Sequence, residues 1–317
     1  MTGLICAPRL IGLIYVLASA ASGADGPLVA LSVRNQPLHA QPDFRIDSDL
    51  VLIPVSVTDA RNHAVTGLGR EAFRVFEDRT EQKVVHFSCD DAPVSVGIVF
   101  DSSESMTGKL QQSREAIRRF LEFANPQDEF FLVEFSTRPR LTVPFTGDTG
   151  AIQERLLYAQ PKGTTSLLDA VGLAVDYLKH SRYPRRALLI LSDGGENHSR
   201  YTETEMLERV RESDLWIYAM GIYEPRVGFH SNHPTDGQKL LETLAEASGG
   251  RQLAAVSLVD LPLIAARISL ELRNEYVLGY HPANSIRDGK YHHIRVSVAA
   301  DRELTVSWRP GYYGPEK

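Results

Sequence analysis

At 317 residues, with 43% hydrophobic and 23% charged side chains, the chain can build one large core or two modest ones and is too evenly mixed to stay disordered. The formal net charge of -6 is accompanied by no basic stripe, which excludes nucleic acid as the main partner.

The first 24 residues have the layout of a secretory signal peptide: Arg9, an apolar run from Leu10 to Leu17, then small residues that include Ala18-Ser19-Ala20. Cleavage is expected after Ala20 or Ala24. A retained membrane anchor is the alternative, but it needs roughly 20 apolar residues and this run is shorter. Export to a periplasm or the extracellular space follows, with membrane contact only through export or a retained signal segment. After cleavage Cys89 is the sole cysteine, so no internal disulfide can form and stability must come from packing. Cys89 alternates with Val85 and Phe87 and is expected to be a buried small hydrophobe.

Residues 25–48 carry Pro, Gln and Asp without sustained periodicity and read as a linker or arm. In 49–90, "DLVLIPVSVTD" alternates, with Val51, Ile53, Val55 and Val57 on one face, and "FRVFED" and "QKVVHFS" are further short strands. These make a small β-subdomain or extension.

From "PVSVGIVFD" onward strands alternate with amphipathic helices, the signature of a mostly parallel α/β sheet, over 91–273. Val94 to Phe100 is apolar on both faces, as a strand between two helix layers must be. Leu110, Ile117, Phe120, Leu121 and Ala124 then recur at helical spacing. "EFFLVEFS" and "PRLTVPFT" are expected to pair as a hairpin. Helices follow at "DTGAIQERLLYA", "SLLDAVGLAVDYLKH", "TETEMLERVRES" and "DGQKLLETLAEASGG", the last closed by a glycine pair suited to a left-handed cap. "RRALLILSD", "LWIYAMGI" and "RQLAAV" are the strands between them, and "LVDLPLIAARISLELRN" is the final helix. In 274–317, "EYVLGYHP", "YHHIRVSV" and "ELTVSW" alternate again and are expected to join the strands of 49–90 in a shared sheet. The fold class is therefore α/β, a doubly wound, mostly parallel sheet with helices on both faces, flanked by a β-subdomain built from N- and C-terminal strands.

In an open parallel sheet, ligands bind outside the carboxyl ends of the strands, where strand order reverses. Three loops at such ends are rich in oxygen. "DSSES" supplies Asp101, Ser103 and Ser105; "KGTTSLLDA" supplies Thr164, Thr165 and Ser166 and leads to Asp169; "LSDGGEN" supplies Asp193 before two glycines. None has a histidine or cysteine directly beside it, so the set suits Mg²⁺, Mn²⁺ or Ca²⁺ better than zinc. Alternate residues at 101, 103 and 105 can aim at one point while Ser102 and Glu104 face outward. A cation held mainly by neutral hydroxyls stays electrophilic and favours a carboxylate from a protein partner. The competing reading is that Ser103 and Ser105 cap a helix starting near Met106. Capping alone does not explain matched oxygen clusters on three strand ends.

His230 and His233 stand three apart but in a Gly/Pro/Asn-rich loop, which reads as solvated. His292 and His293 point to opposite faces of a strand and cannot serve one centre. No nucleophile elbow or phosphate-cradling glycine loop is present, and Glu104 and Glu196 are the only candidate general bases near the oxygen loops. The chain is expected not to be an enzyme.

Asp101-x-Ser103-x-Ser105, Thr165 and Asp193, in this order on this alternation, resemble the metal-ion-dependent adhesion site of a von Willebrand factor type A (VWA) domain. "GTTSLLDA" is similar to that family's threonine loop and "LLILSDGGEN" to its aspartate loop, over about 94–270. The flanks "LVLIPVSVTDARNHAVTGLGREAFRVFEDR", "EYVLGYHP" and "RPGYYG" resemble the exported bacterial VWFA-related group. The resemblance implies a doubly wound sheet with one short antiparallel edge. It also implies Mg²⁺ (or Mn²⁺ or Ca²⁺) touched directly by Ser103, Ser105 and Thr165, with Asp101 and Asp193 direct or through water, and Asp169 in support. A partner's Glu or Asp completes the shell. The "GGENHS" continuation departs from the family and bears on partner specificity. Three functions remain distinct: a secreted binding module, a structural scaffold with a vestigial site, and a metal-assisted hydrolase.

Overall fold

The computed structural model describes residues 50–223, 235–255, 257–282, 289–300 and 302–314, all within the unit 47–317. The signal peptide and linker expectations, and the His230/His233 pair, lie outside the described residues.

The first strand, β1 (Val51–Asp59), buries Ile53, Val55 and Val57 as its alternation predicts. It is followed by β2 (Phe73–Glu77), β3 (Thr80–Gln82) and β4 (Val84–Ser88). The α/β region then runs β5 (Ser95–Asp101), α1 (Leu110–Glu122), β6 (Glu129–Phe135), β7 (Arg140–Thr146), α2 (Thr149–Leu157), α3 (Leu167–Leu178) and β8 (Arg186–Ser192). It continues through α4 (Glu203–Glu212), β9 (Trp216–Ile222), α5 (Asp236–Ser248), β10 (Arg251–Ala255) and α6 (Leu261–Arg273). The chain closes with β11 (Tyr276–Tyr280), β12 (Tyr291–Val298), β13 (Leu304–Trp308) and β14 (Gly311–Tyr313).

Six strands form the central sheet in the order β10-β9-β8-β5-β6-β7, parallel except for the β6–β7 hairpin at one edge. Every residue of β5 and β9 is buried, because helices cover both faces. One apolar layer gathers Ile117 and Phe120 of α1, Ile152 of α2 and Ile268 of α6; the other gathers Val171 of α3, Val210 of α4 and Leu244 of α5. Helix α5 ends in Gly249, left-handed at φ +88°, as the glycine pair predicts.

The flanking strands form two sheets, where one shared sheet was expected. β13-β1-β11-β4 and β14-β12-β2-β3 each interleave N- and C-terminal strands. Their inner faces enclose one core that includes Val55, Phe73, Tyr276, Leu278, Tyr280 and Val296. A single sheet would leave one side of these alternating strands in water, and pairing two sheets face to face buries both apolar faces. β14 was not foreseen, since "GYY" is too short to show a period.

Cys89 corrects the sequence reading, for it is exposed. It lies just beyond β4, an edge strand on which Val85 is also 47% exposed. Alternation there does not imply a buried face.

This sandwich meets the α/β region at the amino ends of the parallel strands. Ser56 of β1 donates to Glu271 of α6 at 2.7 Å, Arg251 at the start of β10 donates to Asn62 at 2.9 Å, and Arg309 pairs with Asp214 just before β9. The carboxyl ends of the strands are thus left open at the opposite edge.

Candidate functional site

β5 is the first strand of the α/β region; β6 is added on one side of it and β8 on the other. Strand order reverses between β5 and β8, so their carboxyl ends frame a crevice. All three oxygen-bearing loops reach that edge.

Asp101 ends β5 with no solvent exposure. Its Oδ1 accepts from the Ser103 amide at 2.8 Å and its Oδ2 from the Ser192 hydroxyl at 2.6 Å. Burial nonetheless pushes its pKa up to about 6: desolvation outweighs the hydrogen bonds from Ser103 and Ser192, and the nearby Asp193 charge adds to the rise. The Ser103 and Ser105 hydroxyls lie 3.0 Å apart. Ser103 precedes a short 3-10 turn, Glu104–Met106, yet its hydroxyl makes no capping bond, and α1 starts only at Leu110 behind Lys109. The expected helix start near Met106 is therefore displaced, because Gly108 turns left-handed at φ +81°. Ser102 is another correction: it does not face outward but is buried and donates to the Phe135 carbonyl at 3.0 Å. Glu104 is exposed, as expected.

Thr165 is buried and held from the aspartate loop. Its amide donates to Asn197 Oδ1 at 3.0 Å, and its carbonyl accepts from the amides of Asn197 and His198, each at 3.1 Å. Asp193 follows β8, and its Oδ1 accepts from the Gly195 amide at 3.2 Å. A Cβ placed on Gly195 would lie 3.4 Å from both Asp193 Oδ1 and Thr165 Oγ1. The absent side chain leaves a cradle between these two oxygens. Two carboxylates and three hydroxyls gathered along this edge are a hard-oxygen donor set, so the residues present fit a divalent cation of the Mg²⁺, Mn²⁺ or Ca²⁺ class. Among the described residues, no three of histidine, cysteine, aspartate and glutamate gather as a group that could hold a metal ion, so a cation at this edge would depend on the hydroxyls as well as on Asp101 and Asp193.

Asp169 is placed elsewhere. Its Oδ1 accepts from the amides of Arg200 at 3.0 Å and Tyr201 at 3.3 Å, and its Oδ2 from Arg200 Nε at 3.2 Å. It anchors the loop after β8 and makes no hydrogen bond to the five oxygen residues. Glu196 is likewise occupied: its carboxylate accepts from the amides of Leu168, His198 and Ser199 and from the Ser199 hydroxyl. Far from the site, the His292 ring bonds to Asp78 at 2.9 Å.

Sequence reasoning missed three contributors. Ser192 and Asn197 stand in motifs already singled out, and their polar character beside Asp193 is the signal that was available. Lys109 carried no such signal. Its ammonium donates to Asp193 Oδ2 at 3.0 Å, with side-chain exposures of only 11% and 13%. A protein cation therefore already faces one of the two carboxylates.

Comparison with known proteins points to one domain over the α/β region. A model of the von Willebrand factor type A domain matches residues 96–196, which takes in all five oxygen residues. Residues 96–196 carry a VWA domain. A human relative, inter-alpha-trypsin inhibitor heavy chain H4, is 32% identical over 244 residues, covering 71% of this chain and 25% of the relative. An uncharacterized protein of Borreliella burgdorferi is 28% identical over 153 residues, 45% of this chain and 44% of its own length. This chain thus spans under half the length of these two relatives. Among solved structures, a von Willebrand factor type A protein from Catenulispora acidiphila aligns over 86% of this chain and 74% of its own, with 12% identity and a TM-score of 0.49. Among the described residues, no helix is long and apolar enough to cross a membrane.

Proposed function

We propose that this VWA domain is a divalent-cation-dependent protein-binding module of an exported protein, and that it captures a partner's carboxylate through a cation bound by Asp101, Ser103, Ser105, Thr165 and Asp193. The observation that carries the reading is the buried Asp101 carboxylate, whose pKa is raised to about 6 while neutral hydroxyls and the Gly195 cradle lie along the same edge. Burial opposes the charged form of this carboxylate, and a cation beside it would offset that penalty. The hydroxyls add no charge, so the ion would keep its attraction for an anionic ligand. Export rests on the pattern of residues 9–24.

Of the two candidate bases, Glu196 spends both oxygens on backbone and hydroxyl donors, which leaves the exposed Glu104 as the one a catalytic reading would need and makes binding the simpler reading. The Lys109–Asp193 ion pair favours a second reading, a scaffold in which the ammonium substitutes for the metal.

Calorimetry of the chelator-stripped protein separates them. Mn²⁺ or Mg²⁺ is expected to raise the melting temperature, and Asp101→Ala to abolish the rise. Ser105→Ala, at an exposed position, tests the same point without emptying a buried site. A folded wild type whose melt ignores the cation would leave the scaffold reading in place.

A further inference from the structure

Beside the oxygen cluster, the tip of the β6–β7 hairpin separates two open grooves, of about 410 and 640 Å³, and Thr137 and Arg138 line both. The smaller groove begins at Ser102 and Gly163, neighbours of the DxSxS and threonine loops, and continues past Arg138, Arg140 and Lys162. Hydrogen bonds of the backbone connect the groove to the site. The Lys162 amide donates to the Ser102 carbonyl at 3.0 Å, the Glu104 amide to the Gly163 carbonyl at 3.1 Å, and the Thr164 amide to Thr137 Oγ1 at 3.2 Å.

The charges lining these grooves are unevenly matched. Every carboxylate on them is already held: Glu134 by Arg155, Asp169 by Arg200 and two amides, and Asp176 by Lys179 and Arg209. Arg138, Arg140 and Lys162, by contrast, are exposed and, among the described residues, form no ion pair. In a chain of net charge -6, three unmatched cations are concentrated beside the site. Unpaired cations along a walled groove attract anions by charge complementarity and raise their local concentration.

We infer that the smaller groove is the docking track for an acidic peptide segment of the partner. One carboxylate of that segment meets the cation site, and neighbouring carboxylates lie against Arg138, Arg140 and Lys162. An extended segment advances roughly 3.3 Å per residue, so a few consecutive acidic residues reach from the Ser102 end into the basic stretch. The inference rests on the cation-dependent reading above and adds to it the chemistry of the partner: a run of acidic residues, where a lone Glu or Asp would satisfy the metal alone. A sulfated polysaccharide is the competing polyanion. It is disfavoured because Arg138, Arg140 and Lys162 span one short groove on a net-negative chain, where a polysaccharide calls for a longer basic track.

The test is fluorescence anisotropy of a labelled hexaglutamate peptide, with hexaglutamine and a heparin oligosaccharide as comparisons, in Mn²⁺ and in EDTA. Alongside it, the Mn²⁺-induced melting shift is measured for the wild type and for the triple variant Arg138→Ser, Arg140→Ser, Lys162→Ser. The expected result is hexaglutamate binding that weakens as salt rises and falls at least tenfold in the triple variant, which keeps the full Mn²⁺ shift. Equal affinity in the two proteins, with that shift intact, overturns the groove and leaves the cation site standing. Equal binding of hexaglutamine, or tighter binding of heparin, also overturns it. Absence of both the Mn²⁺ shift and peptide binding in the wild type removes the cation reading and the groove together.

Discussion

Lys109 sets the electrostatics around Asp193. With its ammonium 3.0 Å from Oδ2, a divalent ion entering the site meets one carboxylate already neutralised and, on Asp101, a second that burial makes reluctant to ionise. Lys109→Met keeps an apolar stem and removes the charge. It is expected to tighten Mn²⁺ binding at least tenfold, roughly 1.4 kcal/mol, because repulsion between like charges a few ångströms apart is relieved. The same change is expected to lower cation-free stability by roughly 1–3 kcal/mol, since Asp193 loses its strongest donor. Titration calorimetry reads the first effect and urea unfolding the second; unchanged or weaker Mn²⁺ binding would contradict this role. Gly195 makes the complementary prediction. A Cβ there fits in ordinary contact, 3.4 Å from Thr165 Oγ1 and Asp193 Oδ1, but a branched side chain fills the space between the oxygens. Gly195→Val is therefore expected to remove the Mn²⁺ melting shift while the cation-free protein still folds. For the wild type, ligand linkage sets that shift at about 2.7 kcal/mol with cation at a hundredfold excess over Kd.

Helix α6 gathers a different set of polar contacts. Glu271, 2% exposed, accepts from the Ser56 hydroxyl of β1 at 2.7 Å, the Tyr218 hydroxyl of β9 at 3.3 Å, and Arg251 of β10. One carboxylate thus joins the sandwich, the central sheet and the last helix. Glu271→Leu strands the Arg251 charge against α6 and leaves two buried hydroxyls without their acceptor. A loss of roughly 3–5 kcal/mol is expected, the usual cost of breaking a buried pair from one side, read as a lower urea midpoint at unchanged m. A change below about 1 kcal/mol would mean the network adds little. These elements were largely legible beforehand, because apolar residues recur with the period of each one: Ile53, Val55 and Val57 along β1, Ile117, Phe120 and Leu121 along α1. Where the reading failed, the governing term was not periodic. The start of α1 was misplaced across Gly108, and Cys89 was assigned a face one residue beyond a strand whose sheet neighbour lies on one side only.

Across the whole described unit, the sandwich and the oxygen cluster sit at opposite ends of the parallel sheet. Ser56, Arg251 and Arg309 mark the amino-end contacts; Asp101, Thr165 and Asp193 mark the carboxyl-end cluster. The two ends share no hydrogen bond, so their substitutions are expected to act independently. Glu271→Leu should lower the melting temperature yet preserve the size of the Mn²⁺ increment, and Gly195→Val should do the reverse. Coupling of more than about 0.5 kcal/mol between the two in a double-mutant cycle would show that the ends communicate through the sheet.

Local order along the chain carried the alternation of strand and helix and the succession Asp101, Ser103, Ser105, Thr165, Asp193, since periodicity and motif spacing are properties of neighbouring residues. Contacts between loops far apart in sequence were not readable in that way. Lys109 meets Asp193 across 84 positions, and Ser192 meets Asp101 across 91. Asp169 turns from the cluster to Arg200 across 31. Each of these depends on how the loops cross at the sheet edge and on which partner satisfies a polar group once water is excluded. That competition exists only after the sheet has closed, so it leaves no period or spacing in the residues themselves.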